Sequence, residues 1–182
     1  MNIGVISTRY AKALLDYSVT LGDEETTYRN MLQLMSVLQS VKELQVMLRS
    51  PHLSPKERVR IICSAVEPSE AFKKFAALVV RQGREDMLLF IAHAYVMLYR
   101  KKKGIFAAKF VTASPVSDDF RREITGMIEK RMKSEVELEC VSDSSLIGGF
   151  IIEANSKRLD ASVKGEIGKI RKALVKQNRK LV

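Results

Sequence analysis

Apolar residues recur at helical spacing through most of the first hundred positions of the 182-residue chain. In the stretch RYAKALLDYSVTLG they form two stripes on different sides of one predicted helix. One stripe holds Tyr10, Ala13, Leu14, Tyr17 and Leu21, and the other holds Ala11, Leu15 and Val19. One stripe is enough to dock a helix into a bundle. The second fits either a central position within the bundle or a surface that receives a helix from a partner.

Five further helices are predicted before Gly104. They cover about residues 26–39, a short segment around Leu44, a segment that begins at Ser54, the stretch between Pro68 and Gly83, and about residues 84–102. Ser54 and Glu57 have the spacing of a capping box. Six short helices with tight connections predict an antiparallel helical bundle.

The pattern changes after Gly104. IFAAKFVTA reads as a buried strand, residues 118–133 return to helical spacing, and EVELECV alternates strictly between apolar and acidic positions. DSSLIGGFII predicts a further strand, Asn155–Ser156 a turn, and the surroundings of Leu159 a short strand. A final helix carries Val163, Ile167, Ile170 and Leu174. The predicted fold class is α+β: an N-terminal six-helix bundle (1–104) followed by a small β-α-β-β-α domain (105–182).

The adjacent glycines Gly148 and Gly149 stand out because glycine weakens a strand. Such a pair can cradle a phosphate, form a bulge or let another backbone approach closely. LIGGF matches neither GxxxxGK[ST] nor GxGxxG. It is also predicted to lie inside a strand, whereas phosphate-binding amides are found where a strand gives way to a helix. We therefore predict that the pair serves backbone geometry.

The chain carries a net charge of +10, and part of the excess is concentrated near its end. Residues 164–182 hold seven basic side chains and one acidic side chain, Glu166. A solvated basic tail, an acidic partner, nucleic acid or anionic lipid all fit this excess. No aromatic residues are interleaved with the basic runs as base-stacking platforms would be. GEIG at Gly165–Gly168 resembles the GXXG loop of KH domains, so the alternative function is a basic RNA-binding adaptor with a KH-like C-terminal segment.

Residues that could perform chemistry are sparse. His52 and His93 are the two histidines, Cys63 and Cys140 the two cysteines, and neither HExxH nor CxxC occurs. We predict buried thiols, no catalytic, metal or cofactor site, and no enzymatic activity of the chain itself. No apolar run approaches the roughly 18 residues that span a bilayer, so direct membrane insertion is not expected.

Five segments carry a resemblance to a known family. RYAKALLDYS, RQGREDML, VTASPVS, DSSLIGGFII and LDASVKGEIGKIRKAL follow one another through nearly the whole chain. Together they resemble the delta subunit of bacterial F-type ATP synthases, the counterpart of the mitochondrial oligomycin sensitivity-conferring protein. One departure is Ser144, which stands where the family usually has proline.

The resemblance implies a stator protein of the peripheral stalk that couples rotation to ATP synthesis. Its helical domain would bind the alpha (and beta) subunits of the catalytic head, and its C-terminal domain the b subunit. It would lie at the cytoplasmic face of the bacterial inner membrane as part of the complex and would bind no nucleic acid.

The resemblance also implies two sets of residues. The alpha-subunit N-terminal helix would be held by Tyr10, Ala13, Leu14, Tyr17 and Leu78. The structural family motif of the C-terminal domain comprises Asp143, Leu146, Gly148, Gly149, Phe150, Asp160 and Ser162.

Overall fold

The computed structural model describes residues 3–50, 52–154 and 157–178 and divides into two compact units, Met1–Lys102 and Lys103–Val182. Helices make up the first unit, and a four-stranded sheet with helices makes up the second. The predicted α+β class is confirmed, with a helical region first and a small sheet-containing unit after it. The division falls within two residues of Gly104, where the hydrophobic period changes from helical to alternating.

Six α-helices form the helical unit. They are α1 (Ile3–Leu21), α2 (Glu24–Ser40), α3 (Lys42–Leu48), α4 (Pro55–Ser64), α5 (Glu70–Arg81) and α6 (Leu88–Lys103), with a 3-10 turn at Glu85–Met87 between the last two. Ser54 and Glu57 form the predicted capping box at the start of α4. The Ser69 side chain caps α5 by accepting a hydrogen bond from the amide of Phe72.

The core of the helical unit is formed mainly by side chains of α2, α4, α5 and α6. Its largest fully enclosed apolar side chains are Tyr95, Phe72, Met31, Leu34, Leu38, Ile62, Leu88, Ile91 and Val79. Tyr28 and Tyr99 stack with ring centroids 4.2 Å apart. The helices are short, so most of their stability comes from this burial and not from intrinsic helix propensity.

The second unit is built on a sheet with strand order β2-β1-β3-β4. Its elements are β1 (Phe106–Thr112), α7 (Asp118–Met132), β2 (Val136–Ser142), a 3-10 turn at Ser144–Leu146, β3 (Gly149–Ala154), β4 (Lys157–Ser162) and α8 (Val163–Asn178). Strands β1 and β2 are parallel because α7 crosses between them, and the other two pairs are antiparallel.

One face of this sheet packs against α7. Phe110 of β1 pairs with Cys140 of β2 and with Ile152 of β3, so their side chains share that face. Ile124 of α7 joins the same core cluster. The core is small: its buried members are Ala108, Phe110, Ile124, Val136 and Leu138.

Three details differ from the sequence-based expectations. Gly148 precedes β3 and Gly149 begins it, so the pair lies at the start of the strand and not inside it. Cys63 and Cys140 are partly exposed, not buried. The strand around Leu159 is present as β4 and makes the order β-α-β-β-β-α, one strand more than the predicted β-α-β-β-α. The predicted turn at Asn155–Ser156 lies outside the described residues, as does the side chain of Leu174.

Candidate functional site: an apolar groove between two helices

An open groove of about 300 Å³ runs between α1 and α5 of the helical unit. Its walls are almost entirely apolar. The lining residues are Tyr10, Ala13, Leu14 and Tyr17 from α1, and Ala71, Lys74, Phe75 and Leu78 from α5. The structure therefore brings together all five residues that the sequence suggested for partner binding, although they come from segments far apart in the chain.

Helical periodicity explains how each wall is built. Tyr10, Ala13, Leu14 and Tyr17 have the spacing i, i+3, i+4, i+7, and the four residues of α5 repeat the same spacing. Leu14 and Phe75 are buried and form the floor, whereas Ala13 is exposed at the rim. Leu78 is 39% exposed and presents an apolar wall to solvent. The small side chains of Ala13 and Ala71 leave the space that larger residues would fill.

Each end of the groove is closed by a tyrosine of α1 and a cation from the α5 side. At one end the Lys74 ammonium donates a hydrogen bond of 2.6 Å to the Tyr17 hydroxyl and lies 5.3 Å from the centre of its ring. At the other end the Arg84 guanidinium lies 5.3 Å from the centre of the Tyr10 ring. Cations attract the face of an aromatic ring. These two contacts connect α1 to the α5 side at both ends of the groove.

Lys74 stays charged in this position. The hydrogen bond to Tyr17 raises the pKa of the Lys74 ammonium above its ordinary value. A cation therefore persists at this end of the groove at neutral pH and fixes the Tyr17 side chain.

Buried hydrogen bonds fix the two walls to the rest of the bundle. Tyr95 of α6 lies within 3.1 Å of the Ser18 hydroxyl of α1 and donates to the Glu24 carbonyl. Burial raises the pKa of Tyr95 to about 12, so the phenol stays neutral. Because an unpaired buried polar group is costly, such a network admits few alternative arrangements of α1.

The start of α5 is held in the same way. The Asn30 side chain donates to the Glu67 carbonyl at 2.6 Å and accepts from the Ser69 amide at 2.9 Å. The Asp23 carboxylate accepts from the Ala71 amide at 3.2 Å. Sequence reasoning missed these residues and the α5 lining residues Ala71, Lys74 and Phe75. The sequence feature that could have indicated these hydrogen bonds is Asn30, a polar residue on the otherwise apolar face of α2.

The family-motif residues lie together in the sheet unit, around the junction of β3, β4 and α8. Asp143 accepts a hydrogen bond from the Ser145 amide, which starts the 3-10 turn. Leu146 is buried, and the Phe150 ring lies 5.4 Å from the Phe110 ring. The Gly148 carbonyl accepts from the Val163 amide at 3.0 Å and so ties the turn to the first residue of α8.

The space around the backbone explains why both positions of the pair in DSSLIGGFII are glycine. Gly149 has φ 75°, and a Cβ there would overlap the Ala161 carbonyl oxygen of the neighbouring strand. A Cβ at Gly148 would lie 3.3 Å from Val163. Ile147 also has a positive φ of 67° and is exposed. The backbone therefore turns sharply into β3 and approaches β4 closely, which a residue with a Cβ at 149 would prevent.

Asp160 and Ser162 secure the start of α8. The Asp160 carboxylate accepts from the Ser162 hydroxyl at 2.6 Å and from its amide at 3.1 Å. These hydrogen bonds lower the pKa of Asp160 below its ordinary value. The Ser162 hydroxyl in turn accepts from the Gly165 amide at 3.0 Å, as an N-cap does. A Cβ at Gly165 would lie 2.6 Å from the Asp160 carboxylate.

The sheet unit also leaves apolar surface uncovered. Val163, Ile167 and Ile170, at helical spacing on α8, are each more than two-fifths exposed. A second groove of about 260 Å³ lies between α7 and the sheet, with Met127 and Met132 at its edge. Two regions of the sheet unit, the stripe on α8 and the groove beside α7, therefore present apolar side chains to solvent.

The described residues offer little for catalysis. No group of three or more His, Cys, Asp or Glu side chains among them is arranged to hold a metal ion. His93 is exposed on α6, 3.4 Å from the Gln39 amide. Within the described part of the chain, no helix is both long and apolar enough to cross a bilayer.

The KH-like interpretation is not supported. Gly165 and Gly168 lie within the continuous helix α8, whereas a GXXG loop clamps nucleic acid with a turn between elements.

Comparison with known proteins agrees with this architecture. The family profile described as ATP synthase delta (OSCP) subunit matches residues 6–174. Proteins called ATP synthase subunit delta from Bacteroides fragilis (strain YCH46) and Phocaeicola vulgatus are each 37% identical to this chain, with full coverage of both sequences. A chain in the cryo-EM structure of the Toxoplasma gondii mitochondrial ATP synthase hexamer shares the fold, with a TM-score of 0.69, 22% identity, and coverage of 93% of this chain and 97% of that one.

The fold is that of a two-part α+β protein, with a helical bundle followed by a small sheet unit. The chain belongs to the ATP synthase delta (OSCP) subunit family.

Proposed function

We propose that this protein is a non-catalytic peripheral-stalk subunit of the F-type ATP synthase. It links the catalytic head to the membrane-anchored b subunit, so that the head stays still while the central rotor turns and rotation is coupled to ATP synthesis. The observation that carries this proposal is the preformed apolar groove between α1 and α5, together with membership of the delta subunit family.

The groove receives the amphipathic N-terminal helix of an alpha subunit. Its floor is apolar, its exposed walls are Ala13 and Leu78, and its length between Tyr10 and Tyr17 is about 10 Å, or two helical turns. A guest that buries a large apolar side chain there gains about 1.5–3 kcal/mol per side chain. An exposed ion pair contributes about 0–1 kcal/mol. A contact that must resist torque is therefore better made by helix-in-groove burial.

The sheet unit binds the b subunit. The apolar stripe of α8 is exposed, and the basic side chains Lys164, Lys169 and Arg171 flank it. An amphipathic helix end with acidic flanks complements such a surface. In this arrangement the protein lies at the cytoplasmic face of the bacterial inner membrane and is held there by its partners.

The experiment that tests the groove is Ala13→Trp. The indole would occupy the space above Leu14 and Phe75, so binding of a peptide that copies the alpha-subunit N-terminal segment should weaken about a hundredfold or more. Because Ala13 is exposed at the rim, the bundle should keep its circular dichroism and its unfolding midpoint. Isothermal titration calorimetry measures the binding.

Ala77→Trp provides the matched control. Ala77 is an exposed alanine of α5 that does not line the groove, so this variant should bind the peptide like the wild type. If Ala13→Trp also binds with unchanged affinity, the groove is not the docking site and the proposal for the helical unit fails.

A further inference from the structure

The two ends of the groove differ in charge. We name them by the tyrosine that closes each. The Tyr10 end has Arg9, Arg81 and Arg84 around it, and the Tyr17 end has Asp16, Glu70, Lys73 and Lys74. Three cations without an acid stand at the first end. At the second end two acids and two cations cancel.

The placement of the cations at the Tyr10 end follows from helix geometry. Arg9 lies four residues before Ala13 on α1, and Arg81 lies three residues after Leu78 on α5. Residues at these spacings share a helix face, so each arginine continues the rim that Ala13 or Leu78 forms. Arg9 and Arg81 are exposed. Arg84 lies over the ring of Tyr10 at the same end of the groove.

These three charges lack internal compensation. Among the described residues, no acidic side chain forms an ion pair with Arg9, Arg81 or Arg84. At the Tyr17 end the situation is the opposite, because Glu70 pairs with Lys73 at 2.7 Å and Lys74 is engaged by Tyr17. The helix dipole accounts for Arg81, which lies in the last turn of α5. It does not account for Arg9, which lies in the N-terminal half of α1.

We propose that the guest helix carries carboxylates at one end of its apolar stripe and docks with that end at Arg9, Arg81 and Arg84. This inference rests on the proposed function, because it concerns the guest of the same groove. It adds the chemistry that selects the guest and the direction in which it lies.

Apolar burial and rim charges contribute differently to the docking of the guest helix. The groove is lined by apolar side chains between its two closing tyrosines, so burial of apolar surface does not by itself select the direction of a guest helix. Rim charges contribute little net affinity, but they steer the encounter and favour one orientation, because the opposite orientation would place the carboxylates at the Tyr17 end, where acids and cations cancel. A unique direction matters for a stator, because the guest must leave the groove toward the head to which it belongs.

The first test is a charge reversal away from the groove floor. Arg9→Glu combined with Arg81→Glu leaves the Arg84–Tyr10 contact in place. The probe is a synthetic peptide of the alpha-subunit N-terminal segment from the same genome. We expect its association rate to fall about tenfold at low ionic strength and the difference to disappear at high salt. Lys12→Glu with Lys42→Glu is the matched control, because it changes the net charge of the helical unit by the same amount at two exposed lysines that neither line the groove nor lie at either of its ends.

The second test determines the direction in which the guest helix lies in the groove. A nitroxide label is placed on the carboxylate-bearing end of the peptide, and line broadening is followed in the NMR spectrum of the full chain. We expect stronger broadening around Tyr10 and Gly83 than around Tyr17 and Glu70, because the effect of the label falls steeply with distance.

The outcomes separate the two proposals. If Ala13→Trp leaves peptide binding intact, the groove function fails, and this inference fails with it. If Ala13→Trp abolishes binding but both charge reversals act alike, or the label broadens both ends equally, the groove function stands and the charge-directed docking is wrong. A native peptide without carboxylates at one end of its apolar stripe also overturns it.

Discussion

The helical unit and the sheet unit achieve stability in different ways. The helical unit encloses large side chains completely, among them Phe72 and Tyr95, and pins its helices with buried hydrogen bonds. The sheet unit has a small core, and its order depends on backbone features such as the close approach of Gly149 to Ala161. The difference shows that large enclosed side chains determine the order of the helical unit, whereas the sheet unit depends on close backbone packing and leaves the apolar stripe of α8 exposed.

The largest expected effect comes from breaking the packed core of the helical unit. Phe72→Ala removes a fully enclosed ring and should lower the free energy of unfolding of that unit by about 3–5 kcal/mol. Hydrogen exchange of the sheet unit should stay at its wild-type level. Leu78→Ala is the control, because this exposed side chain should cost little stability while weakening peptide binding. Equal destabilisation by both variants would contradict the assignment of core and groove wall.

The next effect comes from the backbone of the sheet unit. Gly149→Ala requires a side chain at φ 75° and against the Ala161 carbonyl, so it should destabilise that unit by at least about 2 kcal/mol. Gly168→Ala, with open space around it and no positive φ, should stabilise α8 by about 0.4–1 kcal/mol. Chemical denaturation followed by hydrogen exchange distinguishes the two units. If Gly149→Ala leaves the free energy of unfolding of the sheet unit unchanged, that unit does not depend on the close backbone packing at Gly149.

The smallest effect concerns the start of α8. Ser162→Ala removes the N-cap and should cost about 1 kcal/mol. It should also reduce the acid dependence of stability. The pKa of Asp160 is lowered by its bonds to Ser162, so this contribution is present above the ordinary carboxyl pKa and is lost as the pH falls through the lowered value. Unfolding measured between neutral and strongly acidic pH checks both points. An unchanged acid dependence in Ser162→Ala would show that the pair is not coupled.

Much of the fold could be predicted from the local pattern of apolar and polar residues. The helical spacing before Gly104 and the alternation in EVELECV predict elements that the structure contains. The polar contacts of Asn30, Asp23 and Ser69 could not be predicted, because each joins residues about 40 or more positions apart. The position of Gly148 and Gly149 was wrong by a few residues because an apolar run does not mark where a strand begins.

The residues of the candidate site could also be predicted only in part. The spacing of Tyr10, Ala13, Leu14 and Tyr17 and the family resemblance named one wall and Leu78 from the other. Two cations close the groove, Lys74 and Arg84. In the sequence they resemble any basic residue on a protein surface, and only the structure shows that each contacts the ring of a tyrosine on α1.

The sequence by itself determined the period of each segment, the division near Gly104 and membership of the family, because these depend on residues close together in the chain or on their order. Only the tertiary structure decided that α1 and α5 lie side by side with space between them, and that three arginines gather at one end of that space. Those facts depend on how distant helices pack, which is set by the whole core and not by any one segment.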